Sequence, residues 1–264
     1  MFTGFPEETL QFFLDIRFHN DKAYFAEHKP RYEKDVKAVF HAFIEELAPA
    51  MQQIDPLMEI RPYKCLARIH RDTRFSKDKS PFRDHVWLGW RYPAERRSEG
   101  FGMYWGFGPD WLSWGCGCYS TDKPLMDALR LTIRENPDEV REAFAHPRIR
   151  DGFAIYGESY KKLAVPDDVP EDLRFLYIKK GFGIEHEGTK AEWAALHTHE
   201  MADILARDLA AMAPLQQMMQ RMRAKAEYAQ ERQAREREAL QREAAKQPEL
   251  PSRLSVRSAE DFEF

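Results

Sequence analysis

Cysteine is scarce in this sequence, and long apolar runs are missing from it. Three cysteines among 264 residues are too few, and odd in number, for a disulfide scaffold, and they favour a reducing compartment. No apolar run reaches the length of about 18 residues that a membrane-spanning helix needs. The segment from Met1 to Glu8 lacks a basic region followed by an apolar one, so no signal peptide is visible. We therefore expect a soluble, cytoplasmic protein that does not associate with membranes.

Motifs for metals and cofactors are also missing. Cys116 and Cys118 fall on one face of a predicted strand, but no second ligand pair follows at the spacing typical of zinc sites. Trp114 shares that face, so we interpret the two cysteines as buried and structural. His197 and His199 would point about 200° apart on a helix, which is poor chelating geometry. No glycine-rich phosphate loop of a standard type is present. We expect no metal and no cofactor.

The hydrophobic residues that are present, 43% of the chain, suffice for one good core. Periodicity and capping residues predict helices at the start of the chain. The first covers 6–18, and a short second helix is capped by Asn20 and ends before Pro30. A third carries apolar residues at a 3.6-residue spacing from Tyr32 onward and ends at Pro49. Helices therefore form the N-terminal part of the predicted fold.

Alternating apolar and polar residues in the middle of the chain predict β-strands. The predicted strands cover 63–70, 85–92, 101–107 and 111–119, with 180–186 as a further option. Short, turn-like joins favour an antiparallel or mixed sheet of about four to five strands, packed with helices from both ends of the chain, so the fold class is α+β. One face of the sheet carries Gly102, Gly106, Gly115 and Gly117. Such a face either lets a helix pack closely or leaves a groove for a ligand.

The chain divides into three predicted regions. Residues 1–214 form a single α+β domain, whose last helix carries Trp193 on its apolar face and ends near Pro214. Residues 215–247 are rich in Glu, Arg, Ala and Gln and predict a charged helical extension, in which Glu231/Arg235 and Glu238/Arg242 fall at the i,i+4 spacing of stabilising ion pairs. That extension is either an arm for an oligomer or a protein partner, or a solvated helix with no role. Residues 248–264 have the composition of a disordered tail.

The most unusual feature is a cationic segment between Arg61 and Arg83. Eight basic residues lie there and only Asp72 and Asp78 oppose them, a net charge of about +6 in a chain whose formal total is −4. Like charges packed together destabilise a fold unless something neutralises them. The neutralising group is either a set of internal carboxylates or an external anion.

Candidate site residues come from this segment. Those expected to bind an anion are Arg68, Arg71, Arg74, Ser76, Lys77, Lys79 and Arg83. Arginine suits bidentate contacts with phosphate or carboxylate. If the site is catalytic, His70 is the best general acid or base, and Asp72 would orient it or an arginine. The residues specify no reaction, and they leave open whether the protein is an enzyme.

Three interpretations of the segment remain. In the first, a pocket binds a small molecule that bears phosphate or carboxylate. In the second, Asp72, Asp78 and acids of the flanking helices neutralise the cations in an internal salt-bridge network that pins the loop. In the third, Phe75 and Phe82 stack on nucleic-acid bases. The third is the least favoured, because residues 1–219 carry a net charge of about −5 and broad nucleic-acid binding draws on many cationic contacts.

Several blocks of the chain resemble one sequence family. Gly4-Phe5-Pro6, Asn20-Asp21-Lys22 and above all the run from Arg71 to Pro81, Arg-Asp-Thr-Arg-Phe-Ser-Lys-Asp-Lys-Ser-Pro, resemble the bacterial domain of unknown function family 2461. The resemblance covers about residues 3–212 and implies a single α+β domain, but it implies no reaction. The family's motif usually ends Pro-Tyr-Lys, whereas Phe82-Arg83 occupy the last two positions here.

Overall fold

A single antiparallel sheet organises the fold. The computed structural model describes residues 1–92, 100–118 and 120–246. The strands are β1 (Val86–Trp90), β2 (Phe101–Gly108), β3 (Trp111–Cys118), β4 (Ala154–Tyr156) and β5 (Gly183–Glu187). They pair in the order β1-β2-β3-β5-β4, and every neighbouring pair is antiparallel. The strands predicted at 85–92, 101–107, 111–119 and 180–186 are confirmed with slightly different ends, and β4 is a strand that the alternation did not indicate.

Helices surround this sheet, which confirms the α+β class. They are α1 (Glu7–Phe18), α2 (Lys22–Arg31), a π-helical turn (Tyr32–Lys37), α3 (Ala38–Ile54), α4 (Pro62–Cys65), α5 (Lys123–Glu135), α6 (Pro137–Phe144), α7 (Pro147–Gly152), a 3₁₀ turn (Glu171–Leu173), α8 (Arg174–Tyr177), α9 (Lys190–Ala195) and α10 (Glu200–Lys246). Within the described ranges, no helix combines the length and apolar character that crossing a bilayer requires.

Three helix ends predicted at prolines are wrong. Each proline lies inside a helix: Pro30 in α2, Pro49 in α3 and Pro214 in α10. A proline costs a helix one backbone hydrogen bond and adds a steric clash. The residues that follow the prolines are nevertheless anchored in the core, because Tyr32, Met51 and Leu215 are buried. Burial of the apolar side chains beyond each proline outweighs the local cost.

The predicted strand 63–70 is also wrong. Pro62–Cys65 form the helical turn α4, which begins with proline at a position that suits it. The chain then runs extended beside β1 and is joined to it by an isolated bridge. The predicted alternation survives in this extended stretch, since Arg68 and His70 are exposed and alternate with buried side chains. The cations therefore face away from the core, as expected, without belonging to a regular strand.

The two faces of the sheet differ in character. One face packs against helices and carries the core, which includes the fully buried side chains of Trp105, Trp114 and Ile184. The opposite face carries glycines and polar or aromatic side chains, such as Tyr104 and Glu185. The second face is therefore the one on which a ligand can approach the sheet.

Burial, rather than composition, sets the limit of the compact region. The chain divides into a unit of Met1–Ala226 and a second unit of Glu227–Phe264. The domain limit predicted at residue 214 lies inside α10, and four apolar side chains beyond it belong to the core: Leu215, Met218, Met219 and Met222. In the second unit, Glu231 and Arg235 form one of the expected i,i+4 ion pairs. The tail predicted at 248–264 lies outside the described residues.

Candidate functional site

A cleft of about 1060 Å³ lies on the glycine-bearing face of the sheet. Its floor includes Gly89 on β1, Gly102 on β2 and Gly117 on β3. Because these residues have no side chain, they leave room for a groove over three adjacent strands. Of the two structures expected for this face, the groove is the one observed.

The charges around the cleft are unequal. Among the residues that the structure describes, five arginines and two carboxylates line it: Arg68, Arg71, Arg74, Arg83, Arg91, Asp72 and Glu185. These described groups together carry an excess of three positive charges. A concave, partly desolvated surface strengthens the field of such an excess and attracts anions.

The loop that carries Arg71 and Arg74 is closed at its base like a hairpin. Arg71 N donates to Pro81 O at 2.9 Å, and Arg83 N donates to Ile69 O at 2.8 Å. An isolated antiparallel bridge lies between these two hydrogen bonds. Residues 71–81, which we call the basic loop, therefore leave the extended chain and return to it at fixed positions.

Asn20 holds the base of the basic loop. Its side-chain amide accepts a hydrogen bond from Phe82 N at 3.0 Å and donates one to Phe82 O at 2.9 Å. The predicted role of Asn20 as an N-cap is wrong, because Asp21 caps α2 by accepting from Tyr24 N at 2.9 Å. Phe82 is buried and stacks on Phe25, with ring centroids 4.1 Å apart. Hydrogen bonds and aromatic packing thus fix the loop base on the N-terminal helices.

Two local ion pairs neutralise part of the charge of the basic loop. Asp72 accepts from Arg74 Nε at 3.0 Å and Nη2 at 2.7 Å, and Asp78 pairs with Arg71. The hydrogen bonds from Arg74 lower the pKa of Asp72 to about 2. Those from Ser80, with a further contribution from Arg71, lower the pKa of Asp78 to about 2. Each aspartate therefore stays ionised at neutral pH and is matched to one arginine.

Arg83 and Arg68 lie where the basic loop meets the sheet. Arg83 Nη1 donates to the carbonyl oxygens of Arg68 at 2.6 Å and His70 at 2.7 Å. The Arg83 guanidinium lies 4.7 Å from the centroid of the Trp87 ring, a favourable cation–π distance. No carboxylate among the described residues forms an ion pair with Arg68. Its guanidinium is thus available to an external anion.

Most of the sequence-predicted residues meet in this cleft. Those that line it are Arg68, His70, Arg71, Asp72, Arg74 and Arg83. Those that do not are Ser76, Lys77 and Lys79. Lys79 Nζ instead donates to Thr73 O at 2.8 Å, within the basic loop itself. The tip of the basic loop makes contacts within the loop, whereas residues near its two ends line the cleft.

The aromatic and acidic part of the cleft is not evident from the local sequence. One such residue comes from each strand of the sheet: Trp87, Tyr104, Trp111, Tyr156 and Glu185. Trp87, Tyr104 and Trp111 occupy alternate positions of predicted strands. This alternation indicated that their side chains point away from the core, but it did not indicate that they line a common cleft. Tyr156 lies on the unpredicted strand β4. Glu185 reaches the cleft through the pairing of β3 with β5, which local pattern does not reveal.

The two tyrosines of the cleft have perturbed acidities. Burial raises the pKa of Tyr104, and the neighbouring Tyr156 and Glu185 raise it further. Burial also raises the pKa of Tyr156 to about 12. Both phenols are therefore neutral at physiological pH, and each hydroxyl group can donate a hydrogen bond.

The cysteines of β3 differ in their environment. Cys116 is buried, as expected, and burial raises the pKa of its thiol. Cys118 is only partly buried and lines the cleft, so the interpretation of both as buried residues is wrong for Cys118. Within residues 1–92, 100–118 and 120–246, no group of three or more His, Cys, Asp or Glu side chains is placed to hold a metal ion.

Comparison with known proteins identifies the family but not the activity. No curated protein and no solved structure matches the chain. A family model described as a conserved hypothetical protein, DUF2461, matches residues 8–218. The matched region includes the basic loop and every residue that lines the cleft. The chain therefore belongs to the DUF2461 family, as its motifs indicated.

Proposed function

We propose that the protein binds a small molecule bearing phosphate or carboxylate in this cleft. One observation carries the proposal: Arg68 lines a concave cleft and forms no ion pair with a carboxylate of the described residues, and it lies beside Arg83 and within the same positive field as Arg71 and Arg74. Arginine is suited to bidentate contacts with both kinds of anion. The volume of about 1060 Å³ matches a small-molecule site rather than a flat interaction surface.

The surroundings of Arg68 suit an organic anion more than a bare ion. Trp87 lies beneath the Arg83 guanidinium, and Trp111 lines the same cleft, so apolar surface is present next to the cations. His70 also lines the cleft. It supplies a group suited to general acid or base catalysis if the bound anion is a substrate.

The internal salt-bridge network is less well supported as the purpose of the cationic segment. The Arg74 and Asp72 side chains are 77% and 54% exposed, and solvent screening makes exposed pairs of this kind contribute little to stability. The Arg71–Asp78 pair is also near the surface. These pairs organise the loop locally, but they leave Arg68 unmatched among the described residues.

Thermal-shift measurements with anions test the proposal. A ligand present at a hundredfold excess over its Kd stabilises the native state by about 2.7 kcal/mol, which is a Tm increase of about 5–10 °C for a chain of this size. Organic phosphates and polycarboxylates are expected to include such a ligand. Arg68→Ala is expected to abolish the shift and to leave the ligand-free Tm nearly unchanged, because Arg68 is exposed.

Arg150→Ala is the matched control, since Arg150 is 65% exposed and pairs only with the adjacent Asp151 among the described residues. It removes the same charge outside the cleft and is expected to keep the full shift. A shift that survives Arg68→Ala, or the failure of every anion to move the Tm of the parent protein, contradicts the proposal.

Single-stranded nucleic acid is the second candidate ligand, because Phe75 in the basic loop is 94% exposed and Arg74 lies 5.7 Å from its ring centroid. Phe82, the other aromatic expected to stack on bases, is buried. One exposed ring supplies stacking for about one base, so we expect no micromolar binding at physiological salt. Micromolar binding that weakens steeply with salt and is lost in Phe75→Ala would reverse this ranking.

A further inference from the structure

The end of the cleft opposite the basic loop is built around one carboxylate. In the register of the sheet, Tyr104 on β2, Gly115 on β3 and Glu185 on β5 lie in one row. Because Gly115 has no side chain, Tyr104 and Glu185 face each other across the middle strand. Burial raises the pKa of Tyr104, and Tyr156 and Glu185 raise it further, which agrees with this placement.

Tyr156 completes this end of the cleft from the edge strand β4. Its ring lies over Gly183, where an added Cβ atom would overlap the end of the phenol, and its hydroxyl oxygen is 2.7 Å from the position of a Cβ atom at Gly117. The side chain therefore extends across β5 toward the middle of the sheet. Glu185 therefore lies near two neutral phenols, those of Tyr104 and Tyr156.

Glu185 has no cationic partner among the described residues. It is half-buried in the cleft, beside aromatic side chains. Removing a carboxylate from water without an opposite charge is costly. The neighbouring hydroxyl groups of Tyr104 and Tyr156 are neutral, so they do not balance its charge.

We propose that the cleft binds a zwitterion, whose anionic group contacts Arg68 and Arg83 and whose ammonium group contacts Glu185 between Tyr104 and Tyr156. This inference rests on the proposed function and names the class of ligand more closely. A carboxylate supplies the charge that an ammonium group requires, and the faces of tyrosine rings attract cations as well. The arginine end and the glutamate end then neutralise opposite ends of one molecule.

The separation of the two ends sets the length of the ligand. The extended chain that carries Arg68 runs beside β1, and Glu185 lies on β5, so four strand spacings of about 4.8 Å separate their backbones. The arginine side chain covers part of this distance. A ligand with only two carbons between its charged groups is too short to contact Arg68 and Glu185 at the same time. A ligand that reaches both side chains needs several more bonds between its charged groups.

Matched pairs of synthetic phosphate monoesters test the inference by calorimetry at pH 7. One member of each pair is an aminoalkyl phosphate with two, four or six carbons, and the other is the hydroxyalkyl phosphate of the same length. The amine is protonated at this pH. We expect 6-aminohexyl phosphate to bind at least about tenfold more tightly than 6-hydroxyhexyl phosphate, and the two-carbon pair to show no difference.

Two variants of neighbouring glutamates locate the effect. Glu185→Gln is expected to reduce the six-carbon affinity ratio to about one while retaining or improving the affinity for 6-hydroxyhexyl phosphate. Glu187→Gln is the control, because Glu187 lies two residues further along β5, is exposed and is outside the cleft lining. It is expected to keep the ratio of the parent protein. The ratio is measured on folded protein, so a modest change in stability does not affect it.

The outcomes separate this inference from the proposed function. If 6-hydroxyhexyl phosphate binds and the amine adds nothing, or if Glu185→Gln keeps the amine advantage, the zwitterion is excluded while the anion site stands. If no phosphate monoester and no other anion binds, both proposals fall together. Two results together support the anion site and the zwitterion. The parent protein should bind 6-aminohexyl phosphate more tightly than 6-hydroxyhexyl phosphate, and Arg68→Ala should bind neither ligand.

Discussion

At the scale of single residues, the core side of the sheet shows how this protein accommodates buried charge. Asp208 is only 4% exposed and accepts from Trp114 Nε1 at 2.8 Å and from Arg148 Nε at 2.8 Å and Nη2 at 2.7 Å. The same guanidinium reaches Glu192 at 3.2 Å. Burial alone would raise the pKa of Glu192, but hydrogen bonds, led by that from His186, outweigh it and lower the pKa. Charge is matched here by ion pairs, whereas Arg68 forms none with the carboxylates that the structure describes.

Arg148→Met is therefore expected to be strongly destabilising. It leaves the Asp208 carboxylate buried with one remaining donor, and breaking a buried pair in this way costs about 3–5 kcal/mol. The Arg148 side chain is 34% exposed, which favours the lower end of that range. Urea unfolding measures the change. Arg150→Met removes a surface guanidinium two residues away and should change the free energy of unfolding by less than about 1 kcal/mol; equal effects of the two changes would contradict the assignment.

The two aspartates of the basic loop predict a specific acid titration. Each has a folded-state pKa of about 2, below the ordinary value of 3.8, so its contribution to stability is present above pH 3.8 and is lost as the pH falls through about 2. NMR titration of the carboxyl carbons should give midpoints near 2 for Asp72 and Asp78. In Arg74→Ala the midpoint of Asp72 should rise toward 3.8, while that of Asp78 should stay, because Ser80 and Arg71 hold it. A joint shift of both would show that the two pairs are coupled.

At the scale of elements, the glycines of the sheet have unequal roles. β3 pairs with β2 on one side and with β5 on the other, so a side chain added to its middle residues meets neighbouring strands. A Cβ atom at Gly115 would overlap the carbonyl oxygen of Ile184, whereas one at Gly89 would meet only Met103 O at 3.6 Å. The first contact involves backbone that cannot move without disturbing the β3–β5 pairing, and the second is an ordinary van der Waals distance.

Gly115→Ala should therefore destabilise the protein by about 3 kcal/mol, at the upper end of the cost of overpacking. Gly89→Ala should be nearly neutral or slightly stabilising, since glycine within a strand costs about 0.5–1 kcal/mol relative to alanine. Both positions lie on the same face of the sheet, so the comparison isolates the close approach of β5. Chemical denaturation of the two variants measures the difference. A tolerated alanine at Gly115 would mean that the β3–β5 pairing is looser than described.

At the scale of the whole molecule, the compact unit extends through the first half of α10. Gln216 is fully buried and its Nε2 donates to Phe101 O at 3.0 Å. Met222 is also fully buried, and Thr132 Oγ1 donates to its sulfur at 2.8 Å. These contacts tie α10 to β2 and α5. The stretch after Pro214 is thus part of the core, although its composition suggested an extension.

Two truncations are expected to behave in opposite ways. A chain that ends at Ala226 keeps every core residue of the compact unit and should fold with a Tm close to that of the full chain. A chain that ends at Pro214 loses four fully buried apolar side chains. Each costs about 2–5 kcal/mol even when only truncated to alanine, so the loss of all four is comparable to the whole of a typical stability of about 5–15 kcal/mol. Circular dichroism and thermal unfolding of the two chains measure whether each one folds. A chain that ends at Pro214 and still folds would contradict the prediction.

The sequence by itself determined the features that depend on neighbours in the chain. Alternation with a period of two predicted β1, β2 and β3 and the outward direction of Arg68 and His70, because side-chain direction in an extended chain is local. The density of cations predicted the location of the candidate site. Local composition also predicted the ion pairs of the second unit.

Only the tertiary structure decided what depends on distant packing. Whether a helix ends at Pro30, Pro49 or Pro214 was decided by burial beyond the proline. Glu185 enters the cleft because β5 pairs with β3 across more than sixty intervening residues, and register between distant strands leaves no local signal. The cationic half of the cleft was therefore visible in the sequence, while the half built from Tyr104, Tyr156 and Glu185 exists only once the sheet has formed.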